Sequence, residues 1–256
     1  MLPRGWDFQK NGYQLCQSMS KHHSQSAQSK QRQEITSRIS PFLMGLAYPL
    51  FRYLVLPFYF SRIEVSGQQH LPGEGAVILA PTHRSRWDPM LLTYGAGRLV
   101  TGRDLRFMVT IDEMKGIQGW FLERLGCFPV NPRKRDVGSL RHGIDLLRQH
   151  RMLVIFPEGR IAEASTTVES IRSGLAYIGL QAGAAQAGLN VQVVPISICY
   201  NPPVPSWRSR ASMVIGEPLA VKDDGRQSIK DRAKELSDDL QKALQALHTR
   251  NIDKNR

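Results

Sequence analysis

Short apolar runs recur along this chain, and the segments between them carry a helical period. Ala76-Val77-Ile78-Leu79-Ala80, Arg106-Phe107-Met108-Val109, Met152-Leu153-Val154-Ile155-Phe156, Val191 to Cys199 and Ser212 to Ile215 are strand-length, and most are too continuously apolar to have a wet face. Such runs read as strands covered on both sides. Between them, Val137, Leu140, Ile144 and Leu147 recur at spacings of three and four, which predicts an amphipathic helix. His142 and His150 fall on that stretch and are expected to face solvent. Leu175 to Ala187 reads as an alanine-rich helix. Ile229, Ala233, Leu236, Leu240, Leu244 and Leu247 trace one face of a C-terminal helix. Strands alternating with helices predict an α/β fold, a three-layer domain with a largely parallel mixed sheet.

The ends of the chain differ in composition. Residues 1–40 are rich in Ser, Gln and basic side chains, with only Asp7 and Glu34 acidic, so they read as a disordered tail. Residues 41–61 form an apolar segment, unbroken from Phe42 to Phe60 except at Arg52. A membrane-spanning helix needs roughly 20 apolar residues. Pro49, Arg52 and Pro57 interrupt this stretch, and its aromatic side chains favour the membrane–water boundary. The reading is one or two short helices dipping into one leaflet, with an ordinary buried helix as the alternative. The catalytic domain is then expected over 62–222, and an amphipathic helix and tail over 226–256.

The net charge is +12 over 256 residues, which points to a polyanionic partner: nucleic acid, an anionic membrane surface or a phosphorylated substrate. A nucleic-acid role is disfavoured, because the basic residues are spread and no zinc-finger or RNA-recognition signature occurs. A non-catalytic membrane adaptor is a further class to weigh. The three cysteines show no C-x-x-C spacing, so neither a metal site nor a disulfide framework is expected.

Two strand ends carry chemistry. Past Ala80 comes Pro81-Thr82-His83-Arg84-Ser85-Arg86-Trp87-Asp88-Pro89. Histidine is the side chain suited to move a proton near neutral pH, and a carboxylate on its far nitrogen would fix its tautomer. Positions i and i+5 of one helix lie roughly 140° apart. His83 and Asp88 can therefore meet only if His83 sits on a loop and Asp88 in the first helical turn beyond it. Pro89 suits that helix start. Past Phe156 comes Pro157-Glu158-Gly159-Arg160. In open α/β sheets, ligands bind at the carboxyl ends of the strands.

With these motifs in order, the chain resembles the glycerolipid acyltransferase family, specifically the 1-acyl-glycerol-3-phosphate acyltransferases. The family's Asn-His-x4-Asp motif is matched by Thr82-His83-Arg84-Ser85-Arg86-Trp87-Asp88, with Thr82 in place of Asn. Its Gly-x-Phe-Pro-Val strand end is Gly126-Cys127-Phe128-Pro129-Val130, and the following arginine is displaced to Arg133. Its Phe-Pro-Glu-Gly-Thr-Arg motif is Phe156-Pro157-Glu158-Gly159-Arg160, with Thr missing. The Val-Pro strand is Val193-Val194-Pro195-Ile196. The resemblance implies acyl transfer from an acyl thioester, acyl-CoA or acyl carrier protein (ACP), to lysophosphatidic acid, with no metal and no other cofactor. It implies His83 as base and Asp88 as its orienting carboxylate. Arg160 and Arg133 become candidates for the acceptor's phosphate, and Glu158 and Gly159 for shaping the acceptor pocket, with Glu158 either bonding a glycerol hydroxyl or holding an arginine. Ser85 would be a helix cap or a site-lining hydroxyl. Arg172-Ser173-Gly174 lies where family members often carry a basic residue before glycine, and it reads equally as a turn. Glycerol-3-phosphate, another lysophospholipid or a lyso-ornithine lipid are alternative acceptors. Association with the cytoplasmic face of a membrane is expected.

Overall fold

In a computed structural model, residue 35 and residues 37–131, 133, 136–221 and 227–255 are described. The predicted tail falls almost wholly outside them. Thr36–Arg256 forms one compact unit. Its strands are β1 (Arg62–Ser66), β2 (Ala76–Pro81), β3 (Leu105–Thr110), β4 (Cys127–Val130), β5 (Met152–Val154), β6 (Val191–Asn201), β7 (Arg210–Ile215) and β8 (Leu219–Ala220). Its main helices are α1 (Pro41–Tyr59), α2 (Asp88–Ala96), α3 (Gly116–Arg124), α4 (Val137–Arg148), α5 (Gly174–Ala185) and α6 (Ile229–Asn255).

The sheet runs in the order β1-β7-β6-β2-β5-β3-β4, with β8 also beside β6. All pairings are parallel except those of β7 and β8 with β6. The predicted mixed, largely parallel sheet is therefore present. β2 is central, and all six of its residues are buried. Alternate side chains serve opposite faces. Val77 and Leu79 of β2, with Val194, Ile196, Ile198 and Tyr200 of β6, join the core under α1 and α2. Ile78 meets α5 at Gly179, and Leu153 meets α4 at Gly143. α6 packs on β6 and on α5. Three layers result. After β1, Gly67 has φ +82°, and a Cβ there would lie 2.0 Å from the Ile215 carbonyl oxygen. Only glycine allows that turn to pack against β7.

Three sequence readings change. First, Pro49 and Pro57 do not break the apolar segment: α1 continues through a π-helical stretch at Phe51–Val55. A proline removes one N–H and crowds the preceding turn, and the wider register relieves this. Arg52 is withdrawn from the apolar face, its Nη1 donating to the Tyr94 carbonyl oxygen at 2.8 Å and its guanidinium lying over the Tyr94 ring. Met44, Tyr48 and Leu56 are buried against the domain, while Phe42, Leu46, Leu50, Tyr53, Leu54 and Phe58 are exposed. Second, His142 does not face solvent. It is half-buried against the Phe128 ring and bonded to Ser37 Oγ at 2.9 Å. Third, His150 is exposed as expected but lies past the end of α4, with φ 54°.

Candidate active site

β2 ends at Pro81, and the next residue ties the exit loop down. Thr82 is fully buried. Its backbone N–H donates to Ile196 O at 2.9 Å. Its Oγ1 accepts from Ile198 N at 2.9 Å and reaches Ile198 O at 3.4 Å. The side chain thus extends the β2–β6 ladder by one step after backbone pairing has ended. This gives Thr82, where the family motif has Asn, a structural role.

The loop then brings His83 back onto the first turn of α2. His83 Nδ1 and Asp88 Oδ2 are 2.8 Å apart. Asp88 is fully buried, and its Oδ2 also accepts from the Arg84 and Ser85 backbone N–H groups at 2.6 and 2.9 Å. Its Oδ1 accepts from the Tyr200 hydroxyl at 2.6 Å. Burial, with the Asp88 charge beside it, pushes the Tyr200 hydroxyl well above its ordinary range, so it stays a proton donor. Four donors fix one carboxylate, and the carboxylate fixes the imidazole. The His83 ring stacks on Phe156 at 4.0 Å, which holds the ring plane. With Nδ1 taken, Nε2 is the nitrogen left to receive a proton.

Glu158, past β5, does not face a substrate with its side chain. That side chain is fully buried against Arg84, itself 3% exposed. Oε1 accepts from Arg84 Nη1 at 2.9 Å and from His83 N at 3.1 Å. Oε2 accepts from Arg84 Nη1 at 3.0 Å and from Glu169 N at 3.1 Å. Of the two roles open to Glu158, the structure gives it the holding of an arginine. That arginine is Arg84, one of the four residues between His83 and Asp88 to which the motif assigns no role. A buried ion pair needs this many hydrogen bonds to offset its desolvation.

The remaining predicted residues separate. A cavity of about 760 Å³ is lined by His83, Gly159 and Arg160 among others. Its apolar wall includes Met44 and Phe51 of α1, Phe107 of β3, Leu122 of α3, Phe156 and Ile178. Gly159 has φ +69°, and a Cβ there would come within 2.7 Å of Arg172 Nε. Arg160 is exposed and paired with Glu169, Nε–Oε2 2.5 Å and Nη2–Oε1 2.7 Å. Arg172 lines the cavity and is exposed, with no carboxylate partner among the described residues. Ser85 is buried and lies outside the cavity lining; its Oγ accepts from Trp87 N at 3.3 Å, a bond within the turn before α2 that is neither a site wall nor a cap of that helix. Arg133 is also outside the lining: it is exposed beyond β4, with its backbone N–H on Asn131 Oδ1 at 3.0 Å. Cys127 also lines the cavity, but burial pushes its thiol up to about 12, so it stays protonated and inert.

A family model described as Acyltransferase matches residues 62–199. The chain belongs to the acyltransferase family. Among similar proteins, the 1-acyl-sn-glycerol-3-phosphate acyltransferase of Bacillus subtilis is 23% identical over 192 residues, 73% of this chain and 89% of that protein. The mitochondrial glycerol-3-phosphate acyltransferase 1 of Sus scrofa is 24% identical over 188 residues, 66% of this chain. The match spans only 22% of that protein's length. The crystal structure of the 1-acyl-sn-glycerophosphate acyltransferase PlsC from Thermotoga maritima superposes with a TM-score of 0.58 at 20% identity, covering 78% of this chain and 77% of that one. In this acyltransferase, Tyr200 lies one residue past the family match, and α6 lies wholly beyond it.

Proposed function

We propose that this acyltransferase moves an acyl chain from an acyl thioester to the sn-2 hydroxyl of 1-acyl-glycerol-3-phosphate, forming phosphatidic acid for phospholipid synthesis. The observation that carries this reading is the His83–Asp88 pair on the wall of a large apolar cavity that also holds Arg160 and Arg172. His83 Nε2 takes the hydroxyl proton as the oxygen attacks the thioester carbonyl. The tetrahedral adduct collapses, the C–S bond breaks, and the thiolate leaves with the proton carried by His83. Asp88 stabilises the imidazolium between these steps. Alcohols are far too weakly acidic to ionise near pH 7, and general-base help of this kind is worth about 10²–10⁴ in rate. The acceptor's phosphate is gripped by Arg172 and by Arg160, which Glu169 holds in place. The acyl chain occupies the apolar wall.

The acyl donor is acyl-CoA or acyl-ACP. A glycerol-3-phosphate acceptor is the second reading, favoured by the similarity to the Sus scrofa protein. The lysophosphatidate reading is preferred because the Bacillus subtilis protein is matched over nearly its whole length. Attachment to the cytoplasmic face of a membrane is part of the proposal. It is supported by the exposed apolar residues of α1, by Ile117, Trp120 and Phe121 on α3, and by the net charge of +12.

The test offers both acceptors and both donors to the purified protein and identifies products by mass spectrometry. The expected product is phosphatidic acid from lysophosphatidate, lost at least 100-fold in His83→Ala. Activity within tenfold of wild type in that variant would remove His83 as base. Arg172→Ala is expected to raise KM for the phosphorylated acceptor about tenfold.

A further inference from the structure

We infer that the C-terminal helix α6 is part of the acceptor site, with Gln241, Gln245 and His248 as positioning residues for the loop that carries Glu169 and Arg172. This rests on the acyltransferase reading above and extends it beyond the family match, which ends at residue 199.

Residues 161–173 form no helix or strand, and a connection that long needs outside partners for its backbone. α6 supplies many of them. Gln241 bonds the loop twice: its Oε1 accepts from Ile171 N at 3.0 Å and its Nε2 donates to Val168 O at 3.1 Å. Gln245 Oε1 accepts from Val168 N at 2.8 Å. One turn on, His248 Nε2 lies 3.2 Å from Ser165 O and 3.4 Å from Arg84 Nε. The three side chains are spaced four and three residues apart, on one face of the helix.

From the other side, Arg84 Nη2 donates to Thr167 O at 3.2 Å and Glu158 Oε2 accepts from Glu169 N at 3.1 Å. The loop is therefore held between α6 and the Arg84–Glu158 pair behind His83. What it presents to the cavity side is the guanidinium of Arg172 against Gly159, and the carboxylate of Glu169 that aims Arg160. The Gln241 amide accepts from Ile171 with its oxygen and donates to Val168 with its nitrogen, a pair of bonds that neither leucine nor a carboxylate can make. The glutamines thus fix where the two phosphate-gripping arginines stand. They touch neither the reacting hydroxyl nor His83.

The experiment compares the full-length wild type with Gln241→Leu/Gln245→Leu, where leucine keeps bulk and helix propensity. Steady-state kinetics with 1-acyl-glycerol-3-phosphate are paired with amide hydrogen exchange. The expected result is a tenfold or greater rise in acceptor KM, with kcat and donor KM within threefold, and faster exchange at Val168 and Ile171 but not in β2 or β6. Gln241→Glu, which keeps the acceptor and loses the donor, is expected to fall between. Leu244→Ala, buried on the same helix, serves as the purely structural reference: it should lower the melting temperature without an acceptor-specific change. Two results would overturn the inference. One is unchanged acceptor KM with unchanged loop exchange. The other is a double variant that loses melting temperature, kcat and both KM values together, as a core variant would. If the double variant does not fold, Gln241→Leu and Gln245→Leu singly carry the same comparison. A wild type that acylates no phosphorylated glycerol acceptor would refute the proposed acceptor, and exchange at Val168 and Ile171 would still decide whether α6 holds the loop.

Discussion

Glu158→Gln separates two uses of one carboxylate. In the structure each Glu158 oxygen faces two donors: His83 N and Arg84 Nη1 on one side, Arg84 Nη1 and Glu169 N on the other. A glutamine retains one acceptor. Whichever way its amide turns, its NH₂ points at N–H groups, and Arg84 is left buried and uncompensated. Removing one partner of a buried ion pair costs about 3–5 kcal/mol. For a domain of this size each kcal/mol lowers the melting temperature by roughly 2–4 °C, so a fall of about 6–20 °C is expected. Because Arg84 Nη1 also bonds the His83 carbonyl oxygen, and the new NH₂ faces either His83 N or Glu169 N, the loop that carries His83 shifts and kcat should fall by about 10²-fold, the scale of a small misplacement of a catalytic group. Thermal unfolding followed by circular dichroism, beside initial rates at saturating acceptor, measures both. An unchanged melting temperature with only the acceptor KM raised would refute the reasoning and place this carboxylate against the substrate.

Tyr200→Phe leaves Asp88 Oδ1 buried without its 2.6 Å donor. The expected loss is about 1.5–3 kcal/mol in urea unfolding, and a change below about 0.5 kcal/mol would mean that Tyr200 does not support Asp88. His248 gives a pH dependence. Burial, helped by the Arg84 charge, lowers it from 6.5 to about 4 in the folded chain. Between those values the unfolded state binds the extra proton. This contribution is complete above about pH 6.5 and is lost as pH falls toward 4, by at most about 3 kcal/mol. Urea midpoints from pH 7 to 4.5 should fall more steeply in wild type than in His248→Asn, and parallel curves would exclude the effect.

The strands of the sheet were legible because burial on both faces leaves an apolar run that no other element explains. Val77 and Ile78 show this, serving opposite layers with neither reaching water. His83 and Asp88 were legible because their partnership is local, five residues long. The groups that hold them were not. Tyr200 bonds Asp88 across 112 residues, and periodicity reveals which face of β6 it occupies but not what waits there. Arg84 carries no signal of its role, since charged side chains usually go to solvent and the carboxylate it meets lies 74 residues away. On α6 the leucine stripe was visible. The buried polar residues beside it, His248 and Asn251, break the apolar period and could be placed only by the fold. Arg133, the displaced arginine of its motif, is exposed and stands outside the cavity lining, which its place in the sequence did not reveal.

α1 has one further consequence. Its inner residues Met44, Ala47 and Phe51 line the cavity, and its outer residues Phe42, Leu46 and Leu50 are bare. An acyl chain inside is separated from the outside by the thickness of a single helix, about 10 Å. Pulling such a chain through water costs about 0.8 kcal/mol for each methylene, which for a long chain would make product departure the slowest event in the cycle. With lipid lying against the outer face, the chain moves between two oily compartments and that barrier is never raised. Turnover in bilayers should then outrun turnover in dilute aqueous dispersion for reasons that have nothing to do with His83.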